Sequence, residues 1–255
     1  MINDLIKISK LAGKAIMEVY KKNEFEKQIK ADQSPVTEAD FAAHRIIISE
    51  LKKCFPDIPA FSEESEDISY EDRKDWKEYF LIDPLDGTKE FIKRNGEFTV
   101  NIALIKNNSP VLGVVYAPEK DLLYYNTDSN HAYKDENGIK HELPIKQGDK
   151  DSFVMVASRS HMNKETKDFL EELQCKFENV ELVNMGSSLK LCLVAEGVAD
   201  SYPRLGPTSE WDTAAAHAIV KASGGEVLQY GTDRPLVYNK ENVLNPNFEV
   251  TRPYN

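Results

Sequence analysis

Apolar side chains return along the start of the chain mostly at steps of three and four: Ile2, Leu5, Ile6, Ala12, Ala15, Ile16 and Val19. That spacing gathers them on one side of a helix about five turns long. A polar stretch from Lys21 to Val36 breaks the pattern, with Ser34-Pro35 near its end. Thr37 then opens a second helix, because Asp40 stands three residues on, where the acid of a capping box belongs. The body of that helix is Phe41, Ala42, Ala43, Ile46, Ile47, Ile48 and Leu51, and it is expected to end near Cys54-Phe55-Pro56. The period then changes. Ile58 to Phe61 is short and apolar and runs into Ser62-Glu63-Glu64-Ser65-Glu66-Asp67. Tyr79 to Ile82 has the compact character of a buried strand, and Asp83-Pro84 is expected to stop it, since proline cannot donate to a ladder. A meander is predicted from Glu97 to Asn126, with strands from Phe98 to Ile105, Val111 to Tyr116 and Leu122 to Tyr125.

Residues 134 to 151 are polar and contain Gly138 and Gly148, which marks the expected border between halves at 1–150 and 151–255. Beyond it, strands and helices alternate. Strands are predicted from Phe153 to Ala157, Val180 to Val183, Asp200 to Tyr202 and Val227 to Leu228. Helices are predicted from Lys164 to Leu173, Ser188 to Ala195 and Asp212 to Ser223, the last stopped by Gly224-Gly225. The tail from Asn245 reads as irregular.

The composition excludes several classes. Of 255 residues, 41% are hydrophobic and 29% charged, the balance of a packed core rather than a disordered, collagenous or coiled-coil chain. No apolar run approaches the roughly 18 residues of a membrane span, and the N-terminus lacks the apolar core of a secretory signal. Cys54, Cys175 and Cys192 form no metal knuckle and suit a reducing, cytoplasmic location. The net charge of −11 repels nucleic-acid polymers. Phosphate would need a local positive centre, either a metal ion or a few placed Lys and Arg.

Such a centre is suggested by Asp83-Pro84-Leu85-Asp86-Gly87-Thr88-Lys89-Glu90-Phe91. Two acids stand directly after a buried strand, and Gly87 permits a turn that aims both into one crevice at the strand's carboxyl end. Close anions repel unless a cation lies between them. Carboxylates and a carbonyl such as that of Leu85 are hard oxygen donors, which favours magnesium or manganese over zinc. The plainer alternative is a loop whose acids cap the next helix. Taken alone, Ser62-Glu63-Glu64 reads as a solvated charge run, and Asp212 in Glu210-Trp211-Asp212-Thr213-Ala214-Ala215 as a helix cap.

Together and in this order, the three acidic strings resemble the lithium-sensitive, magnesium-dependent phosphomonoesterases of the inositol monophosphatase superfamily. Those proteins carry a Glu-Glu pair, an Asp-Pro-(Ile/Leu)-Asp-Gly-Thr string and a Trp-Asp-x-Ala-Ala string. The resemblance implies an α/β (α+β) fold, a layered α-β-α-β-α sandwich of the inositol monophosphatase/fructose-1,6-bisphosphatase type. It implies two or three magnesium ions, with manganese as a substitute, on Glu63, Asp83, the carbonyl of Leu85, Asp86 and Asp212, with Glu63 also taking part in catalysis. It further implies a catalytic pair, Thr88 and Asp40, although both also read as capping residues. Pro35 to Asp40, Lys89 to Gly96, Gly186-Ser187-Ser188-Leu189-Lys190 and Tyr202 to Thr208 look like the CysQ branch, the 3'(2'),5'-bisphosphate nucleotidases.

That branch implies a small nucleotide substrate, adenosine 3',5'-bisphosphate or its sulfate-bearing relative, and a place in sulfur metabolism. Backbone N–H groups of Gly87 and Thr88 would cradle the 3'-phosphate at a helix start. Ser160, His161, Gly186, Ser188, Lys190 and Arg204 are expected at the rest of the nucleotide, with Lys190 and Arg204 on the 5'-phosphate. The alternatives for these residues are an ordinary cap and surface charges. The resemblance fits a cytoplasmic monomer or homodimer without an integral membrane segment, peripheral at the inner membrane at most. His44, His131, His141, Trp76 and Trp211 read as packing or surface residues. Competing readings are a sugar-phosphate phosphatase of the same superfamily and a non-catalytic nucleotide or metal sensor.

Overall fold

The structure, a computed structural model, describes residues 1–30, 35–65, 68–145, 152–159 and 162–252. Helix α1 (Ile2–Tyr20) buries Leu5, Ile8, Ala12, Ile16 and Val19, the predicted stripe in large part. A short antiparallel pair, β1 (Lys27–Ile29) and β2 (Pro35–Thr37), leads into α2 (Glu38–Cys54). The predicted capping box is present there: Asp40 Oδ2 accepts the Thr37 N–H at 2.8 Å.

The chain then builds a large sheet from β3 (Ala60–Ser62), β4 (Glu78–Asp86), β5 (Thr99–Lys106), β6 (Ser109–Ala117), β7 (Leu122–Asn126), β8 (Ala132–Glu136) and β9 (Ile139–Glu142), in that spatial order. Only β3 and β4 run parallel. Two short helices interrupt it, α3 (Tyr70–Arg73) and α4 (Thr88–Lys93). The remaining elements are β10 (Ser152–Ser158), α5 (Lys164–Lys176), β11 (Asn179–Met185), α6 (Leu189–Glu196), β12 (Ser201–Arg204), α7 (Glu210–Ala222), β13 (Glu226–Gln229) and β14 (Phe248–Thr251). Their five strands form a mixed sheet in the order β11-β10-β12-β14-β13.

Period-two alternation sorts side chains between layers. Phe80, Ile82, Ile102, Leu104 and Val114 face α1 and α2. Tyr79, Leu81, Ala103, Ile105 and Val115 face a core shared with α6, α7 and the second sheet. On the far side, Phe153, Met155 and Ala157 pack against Leu173 of α5. The result is the expected helix–sheet–helix–sheet–helix stack.

Two expectations need correction, and one polar stretch carries more order than its composition suggests. Pro84 does not end its strand: β4 runs on to Asp86 through a register shift in which three steps along β4 match two along β5. Proline is tolerated at such a bulge because the local ladder is already broken. The polar stretch after residue 133 is partly sheet, since β8 and β9 form a hairpin. β9 is an exposed edge strand and shows no buried alternation for sequence to reveal. The tail is not irregular: β14 lies between β12 and β13, with Phe248 and Val250 buried.

Helix α7 crosses the first sheet at Gly113, where a Cβ would lie 2.0 Å from the Ala215 carbonyl oxygen. Such overpacking against backbone should cost about 1–3 kcal/mol or more. Gly113→Ala is therefore expected to lower the urea midpoint clearly; a midpoint equal to that of the natural protein would show that the layers can slide apart.

Candidate active site

The β4 bulge aims the first acids. Asp83 is buried, and its Oδ1 accepts the Leu85 N–H at 3.0 Å, a turn that fixes the carboxylate against its own backbone. Asp86 follows at the end of β4. Asp212 arrives from the first turn of α7, where its Oδ2 accepts the Ser209 N–H at 2.8 Å. Oxygens of Asp83, Asp86 and Asp212 all lie within 4.8 Å of one another. Burial, and then repulsion from Glu63, Asp86 and Asp212, pushes Asp83 well above the usual carboxylate range. Burial, and then repulsion from Asp86 and Glu63, pushes Asp212 up to about 8.

These are hard oxygen donors, and among the described residues no His or Cys belongs to the cluster. The Leu85 carbonyl residue lines the same cavity of about 370 Å³. The donor set thus fits a hard divalent cation.

Glu63 also lines this cavity, but its Oε1 is held by Lys30 Nζ at 2.7 Å, and the same ammonium holds Glu64 Oε1 at 2.7 Å. Burial raises Glu63 to about 7 against the pull of Lys30. Behind it, Ser62 Oγ lies 2.9 Å from His44 Nδ1, so His44 braces the approach to Glu63. Trp211 packs edge-on to Phe61, with centroids 5.8 Å apart.

Asp40 serves two partners. Its Oδ2 takes the Thr37 N–H and hydroxyl of the capping box, while its Oδ1 accepts Thr88 Oγ1 at 3.3 Å. Burial lifts Asp40 to about 6. The capping and pairing alternatives are therefore both present in one side chain. Thr88 opens α4 behind Gly87, whose φ of 90° glycine tolerates best.

Ser188, just before α6, sits 2.6 Å from Asp86 Oδ2 and 2.8 Å from the Asp212 carbonyl oxygen, and accepts Asn101 Nδ2 at 2.8 Å. Gly186, Lys190 and Arg204 line the same cavity. Burial lowers Lys190 to about 8, and its Nζ donates to the Ser187 carbonyl. Arg204 Nη2 donates to the Pro207 carbonyl at 2.9 Å, and its Nε is buried without a partner among the described residues. A second cavity of about 320 Å³ shares the walls Ser158, Tyr202, Arg204 and Pro207 and adds Met162, Pro203 and Leu205. Ser160 and His161 lie outside the described residues. Lys30, just after β1, and Asn101, within β5, escape a reading of the sequence because neither belongs to a motif of its own. Ser188 belongs to the Gly186–Lys190 segment expected at the nucleotide, and its hydroxyl meets Asp86 and the Asp212 backbone.

The chain belongs to the inositol monophosphatase family, whose model matches residues 1–254. Members of this family depend on metal ions, and the aspartate cluster is this chain's candidate site for them. The 3'(2'),5'-bisphosphate nucleotidase CysQ of Salmonella typhimurium is 48% identical over 255 residues, spanning 98% of this chain and 99% of that protein. The protein of the same name from Escherichia coli is 46% identical over 253 residues, spanning 98% and 99%. The crystal structure of CysQ from Bacteroides thetaiotaomicron matches with a TM-score of 0.89 at 45% identity, over 98% of this chain and 97% of that one. No helix among the described residues is long and apolar enough to cross a membrane.

The raised acids fix a pH prediction. Glu63, Asp83 and Asp212 titrate higher in the folded chain than their unfolded values of roughly 4. The unfolded chain loses these protons first, so without a cation their contribution falls as pH rises from about 4 to about 8. A bound cation reverses this. The gain in Tm given by saturating magnesium should grow between about pH 5 and about pH 8, by about 3 °C per unit for each proton released. A gain that is flat with pH would rule out these acids as the binding group.

Proposed function

We propose that this chain is a magnesium-dependent phosphomonoesterase that removes the 3'-phosphate of adenosine 3',5'-bisphosphate, giving AMP and phosphate, and treats the sulfate-bearing relative likewise. The observation that carries the reading is the convergence of Asp83, Asp86 and Asp212 beside the Thr88–Asp40 contact in one cavity. The likeness to bisphosphate nucleotidases over nearly the whole length supports the choice of substrate.

In this reading Asp83, Asp86, Asp212, Glu63 and the Leu85 carbonyl hold two or three magnesium ions, or manganese in their place. Bound there, the metal would neutralise the phosphate and make a water more acidic. Thr88 Oγ1 holds the attacking water, and Asp40, ionised above about pH 6, draws off its proton through the threonine hydroxyl. The new P–O bond forms as the ester P–O bond breaks; the 3'-oxygen leaves, takes a proton from a solvent water and becomes a hydroxyl of AMP, and Asp40 returns its proton to the solvent. Gly87 and Thr88 offer their N–H groups to the phosphate at the start of α4.

Lys190 and the unpartnered Arg204 Nε suit the 5'-phosphate, and the adjoining cavity with Met162, Pro203 and Leu205 suits the base. Gly186 lines the phosphate side, and Ser188, turned to Asp86, serves the substrate through that carboxylate. Ser160 and His161 are assigned to the nucleotide side by the resemblance alone, since both lie outside the described residues. The N-terminal half, 1–150, then carries most metal ligands, and the C-terminal half, 151–255, carries Asp212 and the nucleotide contacts. Three free cysteines favour a cytoplasmic enzyme.

Phosphate release should be fastest from adenosine 3',5'-bisphosphate, slow from inositol 1-phosphate and absent from AMP; the reverse order would move the chain to the sugar-phosphate branch. Asp40→Asn should lower kcat by about 10²–10⁴-fold and leave the magnesium-induced rise in Tm intact. Full turnover in that variant would remove Asp40 from the mechanism.

A further inference from the structure

Glu97 stands two residues before β5 and is 8% exposed. It lies between two glycine turns of the cavity wall. A Cβ on Gly87 would stand 3.0 Å from the Glu97 carbonyl oxygen and 3.3 Å from Ser187 Cβ. A Cβ on Gly186 would stand 2.9 Å from the same oxygen and 2.9 Å from Glu97 Cβ. The two turns thus press on Glu97 from either side, and neither has room for a side chain.

The Glu97 carboxylate binds one of these turns and Arg159 beside it. Its Oε2 accepts the Gly186 N–H at 2.8 Å and Arg159 Nε at 3.0 Å, and its Oε1 accepts Arg159 Nη2 at 2.8 Å. Arg159 Nη2 also donates to the Asn184 carbonyl at 2.9 Å. One carboxylate of the first sheet therefore grips the end of β10 and the turn after β11, both from the second. A bidentate, charge-assisted pair of this kind is directional as well as strong. Glu97 is not part of the cavity wall, so any effect on substrate must pass through the turns it holds.

We propose that Glu97, with Arg159, is a positioning residue that sets the distance between the two phosphate subsites. It holds the Gly186–Lys190 segment, and Lys190 with it, at a fixed offset from the Gly87–Thr88 turn where the ester is cleaved. This rests on the bisphosphate reading of the cavity. The Glu97 clasp then selects a substrate with two phosphates at one spacing, while the chemistry at Thr88 does not depend on it.

The test compares Glu97→Gln and Arg159→Met with the natural enzyme on adenosine 3',5'-bisphosphate and on 3'-AMP, which lacks the second phosphate. Both variants should raise KM for the bisphosphate about tenfold, with kcat within about twofold and kcat/KM for 3'-AMP unchanged. Arg159 is half-exposed, so Arg159→Met keeps the test open if Glu97→Gln folds poorly. An unchanged KM, or an equal loss on both substrates, overturns the proposal. A natural enzyme that does not prefer the bisphosphate over 3'-AMP overturns the reading of the cavity itself, and that result is visible before either variant is made.

Discussion

Like charges forced together at the carboxyl end of β4 are the constraint around which this molecule is arranged. Asp83, Asp86 and Asp212 come within 4.8 Å, in surroundings that already disfavour ionised acids. The Lys30 ammonium goes to Glu63 and Glu64. Backbone N–H groups at Leu85 and Ser209 fix the aspartates without cancelling their repulsion. A cluster held this rigidly against its own electrostatics is the candidate seat for the metal on which the family depends.

Local helix-starting chemistry and the site share the same side chains. Asp40 and Asp212 are both the third-position acids of capping boxes. One oxygen of each carboxylate satisfies a backbone N–H; the other oxygen of Asp40 accepts the Thr88 hydroxyl, while Asp212 lines the cavity. The bond to the helix restricts the rotamer, so the free oxygen points one way. A motif worth about 1 kcal/mol to a helix end thus supplies the orientation that proton transfer and metal binding require.

The site also depends on how the two sheets are joined. Helix α7 lies between them and brings Asp212 to β4 only because Gly113 lets it approach closely. Ser188 links Asp86 of the first sheet to the backbone of Asp212. Glu97 and Arg159 add a second tie further along the same seam. Any slip between layers would therefore move the proposed metal ligands and nucleotide contacts relative to each other.

Periodicity alone was enough for most elements. The stripe of α1, the capping box at Thr37 and the alternating second half are short-range patterns, and neighbouring residues decide them. The acidic strings were legible too, because Asp83, Asp86 and Gly87 carry their chemistry within one turn. What stayed hidden were relations between distant segments. Pro84 within a bulged strand, β14 inserted between β12 and β13, Lys30 across Glu63 and Glu64, and Asn101 on Ser188 all depend on partners far away in the chain. Sequence fixes which residue can donate, accept or repel; only packing of the layers decides which of them meet, because that choice is made by shape and burial summed over the whole core.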